Sequence, residues 1–207
     1  MVDAHRGEGE VRNGAPRRLF RMRAAVGLLG CAALGYGLVR AVPLKSEMLD
    51  LLGDPAPDLS AVAGALTSAS AEAGVDRSLL LALAAVESAG KANVKSHAGA
   101  IGLLQLMPAT AMDLAKELRI EPEGLDLEDP ALNARLGARY LAQLLSAFAG
   151  DEGLALAAYN AGPRKVRDWL ARAADADSRT VIDREGFAET RRHVERVLRF
   201  KAIYAAR

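Results

Sequence analysis

Residues 79–111 read LLLALAAVESAGKANVKSHAGAIGLLQLMPATA, and this stretch decides the fold of the chain. Its first part has apolar residues at roughly helical spacing, which predicts a helix with one buried face. Those positions are Leu79, Leu80, Leu83, Ala84 and Val86. We expect Asp76 to cap the start of this helix and Gly90 to end it.

Glu87 falls in the last turn of the predicted helix. A helix C-terminus carries partial negative charge, and apolar surroundings disfavour an ionised carboxylate, so both features favour the protonated acid. A carboxyl group held in that form suits a general acid. The alternative is an ordinary glutamate on the solvated face of its helix.

The segment that follows, residues 96–108, is too rich in glycine for one helix and too apolar for a solvated loop. Small residues suit a backbone that turns tightly or passes close to a ligand. We therefore expect this segment either to turn tightly or to pass close to a ligand.

Four motifs occur in order along the chain: Glu87-Ser88 followed by SHAGAIGLLQLMPATA (96–111), NARLGARYL (133–141), AYNAGP (158–163) and ETRRHV (189–194). They resemble the motifs of soluble-type lytic transglycosylases, glycoside hydrolase family 23, which share the fold of goose-type lysozyme and cleave peptidoglycan. The resemblance covers nearly all of residues 76–198. It implies an all-α, lysozyme-like domain with a glycan-binding cleft between helical lobes.

The resemblance also implies an activity and a mechanism. The protein would be an exported lytic transglycosylase that cleaves the β-1,4 bond between N-acetylmuramic acid and N-acetylglucosamine. Glu87 would protonate the bridging oxygen and then act as base while the muramoyl 6-hydroxyl attacks C1, giving a 1,6-anhydro end. Residues 88–110 contain no Asp or Glu that could act as a second carboxylate nearby. The alternatives are a non-catalytic peptidoglycan-binding scaffold and a hydrolytic goose-type lysozyme.

Three residues of the glycine-rich segment match family positions that contact substrate. By resemblance, Ser96 and Gln105 would hydrogen-bond the sugar or orient Glu87, and Met107 would pack beneath a sugar ring. The alternatives are a loop cap for the polar pair and core filling for the methionine.

Later motifs supply four further substrate-binding candidates by resemblance. Tyr140, Tyr159 and Asn160 would line the cleft, and Glu189 would contact N-acetyl or peptide groups. The alternatives are core tyrosines, an asparagine cap and a glutamate that stabilises the first turn of its helix. His193 departs from the family pattern, which frequently has tyrosine at this position.

The N-terminal 44 residues have the pattern of an export signal. Arginines precede an uncharged apolar run at 24–39, as in a basic n-region followed by a hydrophobic h-region. Cleavage before Val42 would release the protein, whereas an uncleaved segment would anchor it in the cytoplasmic or inner membrane with the domain facing outward. A lipoprotein box ending at Cys31 and a twin-arginine signal at Arg17-Arg18 are minor alternatives. Each predicts the bacterial cell envelope, on the periplasmic or cell-wall side.

Composition excludes several other classes of protein. The chain has 207 residues with a formal net charge of +1, and residues 45–207 carry 20 basic and 23 acidic side chains. That balance is unlike a nucleic-acid surface. One cysteine allows no disulfide, and three histidines in unrelated contexts lack metal-ligand spacing. We expect no metal and no cofactor; peptidoglycan strands are the expected partner, and any envelope protein partner is unspecified.

The chain divides into a signal or anchor segment (1–44), a linker (45–57) and a catalytic domain (58–207). Alanine and leucine dominate, and β-branched runs are absent, which favours helices. Besides the helix carrying Glu87, the patterns predict helices at about 58–73, 108–118, 129–148, 151–160, 163–170 and 186–204. The last is expected to bury Phe187, and the polar segment 174–185 is predicted to be a surface loop.

Overall fold

The computed structural model describes residues 55–207 apart from 122, 124, 174 and 175. These residues form eight helices and two isolated β-bridges, so the predicted all-α fold is confirmed. The helices are α1 (Ala63–Ala73), α2 (Arg77–Ser88), α3 (Pro108–Glu117), α4 (Pro130–Ala147), α5 (Glu152–Ala161), α6 (Pro163–Arg172), α7 (Ser178–Glu185) and α8 (Ala188–Ala205).

The signal, anchor and lipidation predictions fall on residues 1–44, outside the described part of the chain. Within the described ranges, no helix combines the length and apolar character needed to cross a membrane.

Helix α2 lies at the centre of the domain. Residues 79–85 are buried on every side, instead of on one face only, since α8 and α1 both pack against this helix. The predicted N-cap is confirmed, because Asp76 Oδ1 accepts a hydrogen bond from Leu79 N at 2.8 Å. The helix ends at Ser88, and its C-cap is Ala89, one residue before the predicted Gly90; Ala89 takes the left-handed conformation with φ 53°. Glu87 therefore lies in the last turn, as expected.

Apolar side chains form two clusters. The larger includes α2, α5 and α8, and the smaller is built from α3 together with Leu106, Leu127 and Leu136. Tyr140 and Tyr159 pack against both clusters. These two aromatic residues therefore mark the junction between the two parts of the domain.

Gly137 brings α4 close to the glycine-rich loop. A Cβ atom at this position would lie 2.3 Å from Cδ1 and 2.8 Å from Cβ of Leu104, which is fully buried. Because Gly137 has no side chain, Leu104 can pack directly against the backbone of α4.

The prediction of a surface loop at 174–185 is wrong. Ser178–Glu185 is a helix whose N-cap is Asp177, with Thr180 N donating to Asp177 Oδ1 at 2.9 Å. Val181 and Ile182 are buried against the core, but they are the only strongly apolar residues of this helix. Two adjacent apolar positions give no visible helical period, which is why the pattern was missed.

Two predicted details at other helix starts also differ from the structure. The first helix begins at Ala63 instead of 58, after a turn that buries Leu59 and Val62. Phe187 is not buried: it precedes α8 and is 53% exposed. Its ring packs edge-on against Trp169, with 5.7 Å between ring centroids, so it covers the tryptophan from outside.

Candidate active site

A cleft of about 310 Å³ opens at the C-terminal end of α2. Helix α2 contributes Val86 and Glu87, the end of α5 contributes Asn160, and one side of α8 supplies the remaining lining residues. The lining residues from α8 are Glu189, Arg192, His193 and Arg196. The cleft thus brings carboxylate, guanidinium and imidazole groups close together.

Glu87 is partly buried at this cleft and has one close partner among the described residues. Its side chain is 16% exposed, and its Oε1 lies 2.8 Å from Nε2 of His193, which is 8% exposed. Sequence reasoning identified His193 only as a departure from the family pattern. The contact joins residues 106 positions apart, so no local signal could have revealed it.

Tyr159 lies close to the glutamate but uses its hydroxyl elsewhere. Its O–H donates to the carbonyl oxygen of Leu104 at 2.8 Å. Burial, then the negative charge of Glu87 and the neighbouring Tyr140, raise the pKa of Tyr159 well above its usual value. Tyr159 consequently stays protonated at neutral pH and remains a donor to the loop. The Tyr140 ring lies 5.1 Å from the Tyr159 ring between centroids, and burial raises the pKa of Tyr140 too.

The glycine-rich loop is braced by its own polar side chains. Gln105 Nε2 donates to the carbonyl oxygens of Val94 at 3.0 Å and Gly102 at 2.9 Å. Ser96 Oγ accepts a hydrogen bond from Ala100 N at 3.0 Å. Ser96 and Gln105 thus make hydrogen bonds within the loop, as expected for the alternative in which they cap the loop. Met107, at the end of the loop, is 45% exposed and does not fill the core.

Neighbouring helices fix the same loop from outside. Ser88 Oγ, next to Glu87, donates to Leu103 O at 2.7 Å. Asn133, fully buried on α4, accepts from Leu104 N at 2.7 Å through Oδ1. Its Nδ2 donates to Ile101 O at 3.0 Å and Leu127 O at 2.9 Å. The second motif begins at this asparagine. Its place in the first turns of a helix does not indicate contacts with a loop about 30 residues earlier in the chain.

The remaining candidates divide between the cleft and the loop. Asn160 and Glu189 line the cleft together with Glu87, and both are exposed. Asn160 Oδ1 accepts from Thr190 Oγ1 at 2.7 Å, and its amide nitrogen has no partner among residues 55–207 that the structure describes. Ser96 and Gln105 instead belong to the loop and do not line this cleft.

Sequence comparison matches the model of the transglycosylase SLT domain to residues 65–182. The soluble lytic murein transglycosylase of Escherichia coli K12 is 38% identical over 133 residues, which is 63% of this chain and 21% of that protein. The endo-type membrane-bound lytic murein transglycosylase A of Klebsiella pneumoniae is 42% identical over 74 residues, 34% of this chain and 36% of that protein. This chain therefore spans about a fifth of the length of the soluble relative and about a third of the membrane-bound one.

Solved structures have the same fold. The lytic transglycosylase Slt of Pseudomonas aeruginosa, an inactive mutant with glutamate replaced by glutamine, superposes with a TM-score of 0.65 at 38% identity. The match covers 69% of this chain and 24% of that one. The 70 kDa soluble lytic transglycosylase of Escherichia coli gives 0.64 at 35% identity over the same shares of the two chains. A complex of a 70 kDa soluble lytic transglycosylase with bulgecin A matches equally well, with a TM-score of 0.64.

Proposed function

Because this chain belongs to the transglycosylase SLT domain family, we propose that it is a peptidoglycan lytic transglycosylase with Glu87 as its catalytic residue. It would cleave the β-1,4 bond between N-acetylmuramic acid and N-acetylglucosamine. The observation that carries this proposal is the Glu87 carboxyl group, which is 16% exposed at an open cleft and lies 2.8 Å from Nε2 of His193.

In the proposed reaction one carboxyl group acts twice. Glu87 gives its proton to the bridging oxygen as the C1–O bond breaks, and N-acetylglucosamine leaves as an alcohol. The carboxylate then takes the proton of the muramoyl 6-hydroxyl while that oxygen bonds to C1. The product has a 1,6-anhydro ring, no water is consumed, and Glu87 is again protonated.

A second carboxylate, Glu189, lines the same cleft, but its surroundings suit a different role. It is exposed and lies in the first turn of α8, where the positive end of the helix dipole favours an ionised group. We assign it to contacts with the N-acetyl or peptide groups. Asn160, whose amide nitrogen has no partner in the described part of the chain, would donate to a substrate carbonyl.

The candidate residues of the glycine-rich loop do not take part in the proton transfer in this proposal. Ser96 and Gln105 would hold the loop in the conformation that binds a glycan strand, because their polar atoms already make hydrogen bonds to the loop backbone. Exposed Met107 offers an apolar surface for a sugar ring. Tyr140 and Tyr159 would support the loop and the glutamate from the cluster junction.

The substrate also bears on where the protein works. Peptidoglycan lies outside the cytoplasmic membrane, so we infer that the protein acts in the cell envelope and that residues 1–44 serve as its export signal or anchor. Whether this segment is cleaved does not alter the chemistry proposed for Glu87.

Substitution of Glu87 by glutamine tests the proposal. Glutamine keeps the shape but can neither give nor take the proton, so release of soluble muropeptides from sacculi should fall by roughly 10²- to 10⁴-fold. Binding to sacculi and thermal stability should be unchanged. Glu189→Gln is the matched control, because it neutralises the other carboxylate of the cleft and should retain most of the turnover.

The outcomes separate the competing functions. Turnover near wild type in Glu87→Gln would exclude Glu87 as the acid. An equal loss in Glu189→Gln would indicate a two-carboxylate mechanism, as in ordinary glycosidases. A folded wild-type protein that binds sacculi and releases nothing would instead be a scaffold.

A further inference from the structure

The two ring nitrogens of His193 lie in different surroundings. Nε2 contacts Oε1 of Glu87 at 2.8 Å. Nδ1 is buried, and among the described residues no group lies within hydrogen-bonding distance of it. The imidazole is therefore satisfied on one side only, and that side faces Glu87.

This asymmetry selects a tautomer. A buried N–H without an acceptor loses its hydrogen bonds to water and gains none in return, which makes it costly. A proton on Nδ1 would be such a group, both in the neutral Nδ1–H tautomer and in the imidazolium. With the proton on Nε2 only, the N–H donates to Glu87 and Nδ1 carries just a lone pair.

Charged groups of both signs lie near the ring. Arg192, Arg196 and Glu189 line the cleft from α8, and Glu87 lines it from α2. The tautomer follows from the hydrogen-bonding surroundings of the two ring nitrogens, because Nε2 has an acceptor and Nδ1 has none among the described residues.

We propose that His193 is a positioning residue, a neutral imidazole that donates from Nε2 to Oε1 of Glu87 and leaves Oε2 as the atom that exchanges the proton. The catalytic part of this proposal rests on the function proposed above, whereas the tautomer does not. A donor fixed at Oε1 prevents the carboxyl group from rotating, so the proton on Oε2 points into the cleft. The same donor stabilises the carboxylate that remains after the proton has been given to the leaving group.

The tautomer can be measured without any assay of activity. The 207-residue chain has three histidines, so ring-¹⁵N labelling gives three spin systems, and His193→Gln identifies that of residue 193. At neutral pH we expect the Nε2 resonance of a protonated nitrogen and the Nδ1 resonance of an unprotonated one. A protonated Nδ1, in either the neutral or the charged ring, would overturn the proposal even if the protein proves to be an active transglycosylase.

Paired amide variants test the positioning role. The amide nitrogen of glutamine reaches the place of Nε2, whereas that of the shorter asparagine reaches only the place of Nδ1. We expect His193→Gln to keep kcat within a few-fold of wild type, and His193→Asn to lose roughly 10- to 100-fold in kcat with little change in KM. Equal losses in the two folded variants, or no loss in His193→Asn, would overturn the positioning role.

Discussion

Asn133 connects α4 to the loop beside the cleft, and its replacement by alanine should destabilise the protein strongly. The side chain is fully buried and makes three hydrogen bonds to backbone groups of Ile101, Leu104 and Leu127. Ile101 O would keep a partner in the variant, since it also accepts from Leu106 N at 3.0 Å. Leu104 N and Leu127 O would lose the only hydrogen bonds that these atoms make within the described residues.

The magnitude follows from these two orphaned groups. Each buried polar group left without a partner costs about 1–3 kcal/mol, so the free energy of unfolding should fall by about 2–6 kcal/mol. For a domain of this size that corresponds to a drop in melting temperature of roughly 4–24 °C. Thermal or urea denaturation followed by circular dichroism measures it directly.

Gln143→Ala on the same helix is the matched control. Its amide donates one exposed hydrogen bond, to Glu117 Oε2 at 2.7 Å, so its loss should change the free energy of unfolding by no more than about 0.5 kcal/mol. If Asn133→Ala were no more costly than Gln143→Ala, the loop would not depend on Asn133, and the reasoning that assigns it this role would be refuted.

Two further changes test the local structure around the same site. Gly102→Ala should lower the free energy of unfolding by about 3 kcal/mol or more, because the added Cβ would lie 2.2 Å from both Asn133 Nδ2 and Leu127 O and the residue has φ +85°. Gly99→Ala is the control: it has a similar φ of +89° but open space around it, so it measures the effect of the backbone conformation alone. Asp76→Ala should cost about 1 kcal/mol at neutral pH through loss of the cap. The hydrogen bond from the Ser78 hydroxyl is the main cause that lowers the folded-state pKa of Asp76 below 3.8. The contribution of ionised Asp76 to the free energy of unfolding is therefore complete above pH 3.8 and is lost as the pH falls through the lower folded-state pKa. The difference in the free energy of unfolding between Asp76→Ala and wild type, measured by urea denaturation, should therefore become smaller at acidic pH. A difference that does not change with pH would show that the cap does not depend on the charge of Asp76.

The features that could be predicted from the sequence are local ones. The sequence predicts Asp76 as an N-cap and predicts helices that begin at about Asp129 and Asp151, because a short side chain that can accept a hydrogen bond commonly precedes a helix. All three cap their helices through backbone N–H groups three residues later. Asp177 does the same at α7, but the helix that follows has too few apolar residues to reveal a period.

The features that were missed depend on contacts between distant segments. The contact between Glu87 and His193 and the three hydrogen bonds of Asn133 exist only once α2, α4 and α8 are packed. The family resemblance marked Gln105 and Tyr159 as substrate contacts, but the Gln105 amide nitrogen and the Tyr159 hydroxyl already bond to the loop backbone. A motif identifies which residues matter at a site, whereas the direction of each polar atom is set by tertiary packing.

Product analysis tests the central claim most directly. The 207-residue chain is incubated with murein sacculi, and the released muropeptides are analysed by mass spectrometry, with Glu87→Gln as the blank. If the muramoyl 6-hydroxyl attacks C1 as proposed, the wild-type products end in 1,6-anhydro rings and are each one water lighter than the hydrolysed equivalents. Products that carry only reducing ends would mean that water is the nucleophile, and would contradict the transglycosylase mechanism assigned to Glu87.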